Sequence, residues 1–368
     1  MTPVTTTSRQ EIRLMDIIMK AISLNASDIH LTPGTPPVVR VDGQIKPLED
    51  FPVLTPDVTQ KLAYSIMPEK HRKTLEEKGQ ADFSFGIKDV GRFRANVFFQ
   101  RNTIAAAFRR LPYKIHSVKE LGLTEKVLEL CHKSMGLVLV TGPTGSGKTT
   151  TLASLINYIN ENFPHHIITI EDPIEYTFQH KKSIVNQREI GQDVHSFSDA
   201  LRAALREDPD VILVGEMRDR ETIEIALRAA ETGHLVFGTL HTNTAISTIT
   251  RIVDIFPSEQ QEQIRVQLSF VLQGVISQRL IPKIGGGRVL AYELMIPNSG
   301  IRNLIRENKL QQIYSLMQSG QIESGMQTMN QSLFKLYKAG LITLDDAMRI
   351  SPDIRELERM INASGMRR

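Results

Sequence analysis

The stretch GPTGSGKT, Gly142 to Thr149, follows the apolar run GLVLVT and precedes TTLASLINYIN. It fits the pattern G-x-x-x-x-G-K-[ST]. The apolar run reads as a strand, and the residues from Lys148 onward read as a helix. The eight residues are therefore the strand-to-helix turn that this pattern requires. Small residues let backbone N–H groups turn inward and hold phosphate oxygens at the start of the helix. Gly142, Pro143, Thr144, Gly145, Ser146 and Gly147 form that cradle, and Thr150 sits just behind it. Lys148 supplies a cation for the β- and γ-phosphates, and the Thr149 hydroxyl completes a Mg²⁺ shell. The expected ligands are ATP and Mg²⁺.

Outward from this loop the texture stays the same. The short apolar runs GLVLVTG, HHIITIED, DVILVGE and HLVFGTLH alternate with helical segments. One helix is expected near 197–207, with Phe197, Leu201, Ala204 and Leu205 on one face and Pro209 past its end. Another is expected near 220–232, with Asp219 as N-cap and Gly233 as its stop. Such alternation implies a parallel sheet with helices on its faces. Beyond about residue 300 the chain reads as wholly helical.

Hydrolysis needs a group that orients or deprotonates water. Two acidic clusters follow strands of the same sheet. TIEDPIEY carries Glu171, Asp172 and Glu175, and DVILVGE ends in Glu216. Carboxylates at the carboxyl ends of parallel strands face the crevice where ligands bind. Gly215 stands where a metal-binding Asp is usual, so Glu216 is expected to meet Mg²⁺ directly or through water. A solvated loop carboxylate is the plainer alternative for any one of these acids.

GHLVFGTLHTN holds His234 and His241 around an apolar strand. Seven residues at roughly 3.3 Å each separate them by about 23 Å, and an odd spacing points them to opposite faces. A shared metal ion is not expected. His241 ends the strand on the crevice edge, within reach of a γ-phosphate. His234 lies at the opposite end, where it packs or meets a neighbour.

The first third differs. Apolar positions at Ile12, Met15, Ile18, Met19 and Ile22 give a helical period. DIHL and VVRVDGQI read as strands, with Asp42-Gly43 as a hairpin turn. Further strands are expected near 81–87 and 92–111. Strands in succession without helices between them suggest an antiparallel sheet. Within it, GRFRANVFFQR and FRRL supply Arg92, Arg94 and Arg109, cations that reach a γ-phosphate only if this domain closes over the loop. A basic sheet surface is the alternative.

Composition bounds the rest. With 368 residues, two or three domains are expected. A formal charge of +3 argues for no nucleic acid partner, and 6% aromatics with no Trp argue against a strand-binding surface. Cys131 is the single cysteine, so neither an internal disulfide nor a tetracysteine zinc site is possible. The N-terminus lacks a signal-peptide pattern, and no apolar run approaches the roughly 20 residues of a membrane helix. A cytoplasmic location is expected.

GPTGSGKTTT, TIEDPIEY, VGEMRD and TGHLVFGTLHTN stand in the order of the four signature boxes of the secretion-type ATPases. The chain resembles this family, the ring motors of type II secretion and type IV pili, over nearly its whole length. The resemblance implies a PAS-like N-terminal α/β domain over 1–111, a linker at 112–122, a RecA-like P-loop core over 123–297 and a helical C-terminal region over 298–368. It implies a homohexamer, a functional role for both histidines, and arginines that close over the nucleotide. GIRNLIRE, Gly300 to Glu307, is similar to a motif of the pilus-retraction members, AIRNLIRE. By its own pattern this segment is an amphipathic helix with Ile301, Leu304 and Ile305 on the apolar side. The resemblance implies an ATP-hydrolysing motor for pilus retraction, recruited to the inner face of the cytoplasmic membrane by an inner-membrane platform protein. Pilus extension or secretion is the rival output. A RecA-like nucleic-acid motor and a regulator that binds nucleotide without turnover are rivals of other classes.

Overall fold

The computed structural model describes residues 12–365 except 42, 89, 113 and 321–323. The chain divides into two units, residues up to 113 and residues from 114.

The first unit is built on strands β1 (Asp28–Leu31), β2 (Val38–Val41), β3 (Gln44–Pro47), β4 (Gln80–Ile87), β5 (Gly91–Gln100) and β6 (Thr103–Arg110). They form one antiparallel sheet in the order β3-β2-β1-β6-β5-β4. Helix α1 (Leu14–Ser23) buries Leu14, Ile17, Ile18 and Ala21, the spacing of one helix face. One expectation needs correction here. Helices α2 (Pro56–Tyr64) and α3 (Glu69–Lys78) intervene between β3 and β4, so the strands do not follow one another directly. In α3, EKHRKTLEEK buries only His71 and Leu75, too few apolar residues to show a period. The region 92–111, expected to be strand, holds β5 and β6. Arg101 and Asn102 turn between them at φ 47 and 58. A two-residue turn with both φ positive usually carries glycine, and its absence hid the turn.

Phe83, Phe93, Ala95 and Phe108 fill one face of this sheet. A row of polar residues lies on the other. Arg40, Asp28, Arg109, Arg94 and Ser84 stand directly opposite one another on β2, β1, β6, β5 and β4.

The second unit holds β7 (Gly136–Thr141), β8 (His166–Glu171), β9 (Ile184–Glu189), β10 (Val211–Val214), β11 (Leu235–Leu240), β12 (Leu272–Pro282) and β13 (Arg288–Met295). Their order is β13-β12-β7-β11-β10-β8-β9. All neighbours are parallel except β12 and β13, so the expected parallel sheet is mixed at one edge. The chain returns from β12 through glycines 285–287, all at positive φ, which makes a hairpin and hence an antiparallel edge.

Helices α4 (Lys148–Asn162), α5 (Phe197–Ala204), α6 (Arg220–Glu231), α7 (Ala245–Asp254) and α8 (Ser258–Val271) cover the sheet. Leu137 and Leu139 of β7 join the cluster under α5 to α8, while Val138 and Val140 join the one under α4. Both faces are dry, so these strands carry unbroken apolar runs rather than alternation. The α6 cap is as the sequence predicts: Asp219 accepts from the Thr222 N–H, and Gly233 ends the turn at φ 105.

The C-terminal helices are α9 (Ser299–Arg306), α10 (Ile313–Ser319), α11 (Met329–Lys338), α12 (Leu344–Ile350) and α13 (Ile354–Ala363). Met329, Leu333, Ala347 and Leu357 pack on Ile281 and Ala291 of the edge strands. In α9, the GIRNLIRE helix, Ile301 and Ile305 enter the core. Arg302 caps α8 by donating to the Ser269 and Phe270 carbonyls at 2.6 and 2.9 Å. Arg306 lies over the Phe270 ring at 5.8 Å. Among the described residues, no helix is long and apolar enough to cross a membrane.

Candidate nucleotide site

The loop Gly142–Gly147 joins β7 to α4 at the carboxyl edge of the seven-stranded sheet. Gly142 takes φ 143, and a Cβ there would lie 2.5 Å from the Gln278 carbonyl and 2.6 Å from Ser146 Oγ. Only glycine fits this close approach. Thr144 and Gly145 are exposed at the crest, while Ser146 is buried beneath them. Lys148 Nζ donates to the Gly142 and Pro143 carbonyls at 2.8 and 3.1 Å. Partial burial holds its ammonium below the ordinary lysine range, and the carboxylates of Glu216 and Glu175 oppose that shift. The chain thus places one half-buried cation, two nearby carboxylates and a helix N-terminus around one concave loop. The cation and the helix N-terminus suit a phosphate chain, and the carboxylates suit a divalent cation beside it.

The two acidic clusters meet at this edge. Glu171 ends β8, and Glu216 follows β10, the adjacent strand. They are not equivalent. Glu171 is 6% exposed and accepts from Thr169 Oγ1 at 2.6 Å, from Gln187 Nε2 at 3.2 Å and from the Glu175 N–H. Burial pushes its carboxyl up to about 7. Glu171 therefore holds the Asp172–Glu175 turn from inside. Glu175, at the far end of that turn, is the acid of this cluster whose charge reaches Lys148.

Gly215 has a steric reason. A Cβ there would lie 3.0 Å from the Ile170 carbonyl and 3.2 Å from Glu171 Cα. Strands β8 and β10 leave little room for an aspartate at that position, and the carboxylate is carried one residue later. Glu216 Oε1 lies 2.8 Å from His241 Nε2. The same oxygen accepts from Arg218 Nε.

The two histidines separate as their spacing predicts. His241 follows β11 at the nucleotide edge. His234 precedes it at the other edge, and its Nδ1 lies 3.0 Å from the Ala229 carbonyl at the end of α6. Of the three candidate arginines of the first unit, Arg109 and Arg94 stand in the polar row of its sheet, and Arg92 lies opposite Gly86 beside it. Arg109 Nε donates to Asp28 Oδ1 at 2.9 Å, and Arg92 Nη2 donates to Ser84 Oγ at 2.6 Å. Arg94 lies opposite Arg109 in that row.

Several neighbours were not singled out from sequence. Gln278 Nε2 donates to Thr151 Oγ1 at 2.9 Å, bracing the first turn of α4. Tyr176 Oη donates to Thr150 Oγ1 at 3.1 Å. Gln187 and Glu189 of β9 hold the acidic turn, Gln187 by donating to the Tyr176 carbonyl at 2.8 Å and Glu189 by accepting from the Ile174 N–H at 3.1 Å. Tyr176 and Arg218 lie inside the TIEDPIEY and VGEMRD boxes, where the sequence carries a readable signal.

The family model for type II/IV secretion system proteins matches residues 6–286, more than half of the chain. The chain is 52% identical over 334 residues to the type IV pilus retraction ATPase PilT of Pseudomonas aeruginosa, covering 91% of this chain and 96% of that one. It is 50% identical over 333 residues to a twitching motility protein of Neisseria gonorrhoeae, covering 89% and 88%. A crystal structure of the pilus retraction motor PilT with bound ADP matches at TM-score 0.91 and 73% identity, over 95% of this chain and all of that one. The length of these matches, together with the loop, acids and histidines at one sheet edge, makes the chain a member of the type II/IV secretion system protein family.

Proposed function

We propose that this protein is an ATP-hydrolysing motor that powers type IV pilus retraction. The observation that carries hydrolysis is the convergence of Lys148, Glu175, Glu216 and His241 on one sheet edge. Retraction is supported by the relatives named for it and by the α9 helix with its IRNLIRE sequence.

The amides of Gly142–Gly147 and the Lys148 ammonium hold the phosphates. The Thr149 hydroxyl and Glu216 would hold Mg²⁺, and the ion would supply positive charge beside the phosphates. Glu175 takes a proton from the attacking water as its oxygen bonds the γ-phosphorus and the bond to the β-phosphate oxygen breaks. Glu171 and Asp172 shape the turn that presents Glu175. His241, bonded to Glu216, reports the state of the γ-phosphate, and His234 contributes through packing or a neighbouring copy. Arg92, Arg94 and Arg109 are the proposed cations that meet the γ-phosphate in the assembled ring.

The working form is a cytoplasmic homohexamer with the domain limits 1–111, 123–297 and 298–368. It is recruited to the inner face of the cytoplasmic membrane by a platform protein. The test is a count of surface pili together with surface motility in cells whose only copy carries Lys148→Ala. Many pili with no motility are expected. Bald cells would move the protein to pilus extension.

A further inference from the structure

Glu293 of β13 is 2% exposed and lies outside the nucleotide loop. Two helices begin on its carboxylate. The Ala245 N–H, the first of α7, donates to Glu293 Oε1 at 2.7 Å. The Met329 N–H, the first of α11, donates to the same carboxylate. First-turn amides have no partner within their own helix, and the helix dipole favours a negative charge there. One buried anion thus serves two helix starts from different parts of the chain. Burial pushes its carboxyl up to about 7, and the two amide donors oppose that shift.

The position links three places. On the sheet, Glu293 stands opposite Ser277 of β12, and Ser277 stands opposite Thr141 of β7. Ser277 Oγ and Thr141 Oγ1 are 2.9 Å apart, and Thr141 is the residue before Gly142. On one side, α7 starts four residues after His241. The intervening segment is tied to the start of α7: Thr242 Oγ1 and Thr248 Oγ1 lie 2.6 Å apart, and Thr244 and Ser247 form a reciprocal cap. On the other side, α11 belongs to the C-terminal helices.

We propose that Glu293 is a positioning residue for ATP turnover. Its carboxylate pins the start of α7, and with it the segment that sets His241 against Glu216, to β13 and the C-terminal helices. It touches no nucleotide itself. Removing its charge leaves the phosphate cradle intact and lets the His241 segment drift.

This rests on the reading of His241 given above. The test measures kcat and KM for ATP on the full-length assembled protein carrying Glu293→Gln, His241→Ala or both. Glu293→Gln is expected to lower kcat by about ten-fold or more, because a misplacement of about 1 Å beside the reacting atoms costs up to about 10²-fold. KM and ADP affinity stay as in the parent protein. The double variant is no slower than His241→Ala alone, since both changes act through one segment. Parent-like kcat for Glu293→Gln, a rise in KM alone, or losses that multiply in the double variant would overturn the proposal. If the Gln variant does not fold, Glu293→Asp keeps the charge and carries the same comparison, with a smaller kcat loss expected. Parent-like turnover in His241→Ala breaks the reading of His241 and this inference together. A slow His241→Ala beside a fast Glu293→Gln breaks this inference alone.

Discussion

Strand β11 carries a histidine at each end, and the two meet different surroundings. His241, at the carboxyl end, lies 2.8 Å from a carboxylate oxygen of Glu216. His234, at the amino end, meets a backbone carbonyl of the helix that precedes it. The residue type is the same and the strand is the same. What differs is the end of a parallel sheet. At the carboxyl ends, loops from β7, β8, β10 and β11 rise side by side, so Lys148, Glu175, Glu216 and His241 gather from distant parts of the chain. At the amino ends the chain arrives from helices, and a side chain there meets helix carbonyls. A parallel sheet has a chemical end and a packing end, and position along a strand decides which one a residue serves.

Four substitutions test this contrast. Lys148→Ala removes the cation from the chemical end and is expected to lower ATP turnover by about 10³-fold, the scale of losing a preorganised charge at a developing anion. Steady-state phosphate release measures it, and turnover within an order of magnitude of the parent would break the assignment of the site. Glu216→Gln keeps the shape but removes the partner of His241. A loss of about 10²-fold in kcat is expected, with ADP affinity retained. Equal losses in affinity and kcat would instead make Glu216 a binding group.

Glu171 sharpens the contrast within the chemical end. Its folded carboxyl lies at about 7, above the ordinary 4.5, so the folded protein holds a proton that the unfolded chain releases. The stability this contributes is present in full below about 4.5 and is lost as pH rises through about 7. Stability against chemical unfolding should fall over that window by up to about 3 kcal/mol as pH rises, and Glu171→Gln should flatten the slope. An unchanged slope in the variant would mean that Glu171 stays ionised when folded. The smallest effect is expected at the packing end. His234→Ala leaves nucleotide affinity as in the parent and costs about 1 kcal/mol of stability, the scale of one hydrogen bond. A loss of nucleotide affinity there would break the comparison.

Sequence made some elements legible and hid others for physical reasons. GPTGSGKT, the apolar strands β7, β8, β10 and β11, and the capped helix α6 carry their signals in contiguous residues. Helix α3 is mostly charged and buries two side chains, so no apolar period marks it. Strand β9, IVNQRE, buries only Val185 and Glu189. Strand β12, LQGVISQRLIP, mixes polar residues into a buried strand because Ser277 and Gln278 bond across to Thr141 and Thr151. The candidate acids were all visible as acids. That Glu171 is buried within the turn while Glu175 influences Lys148 was not, since one turn carries both.

The sequence by itself determined the phosphate loop, the strand–helix alternation and the order of the signature boxes, because each depends on neighbours in the chain. Tertiary structure alone decided why Gly215 is a glycine, which acid is buried, and that Glu293 serves two helices. Those outcomes depend on groups brought together from afar: Glu293 meets an amide 48 residues away, and Arg109 meets a carboxylate 81 residues away. Burial and pairing set the energy of a charged side chain, and both are properties of the folded neighbourhood rather than of the local sequence.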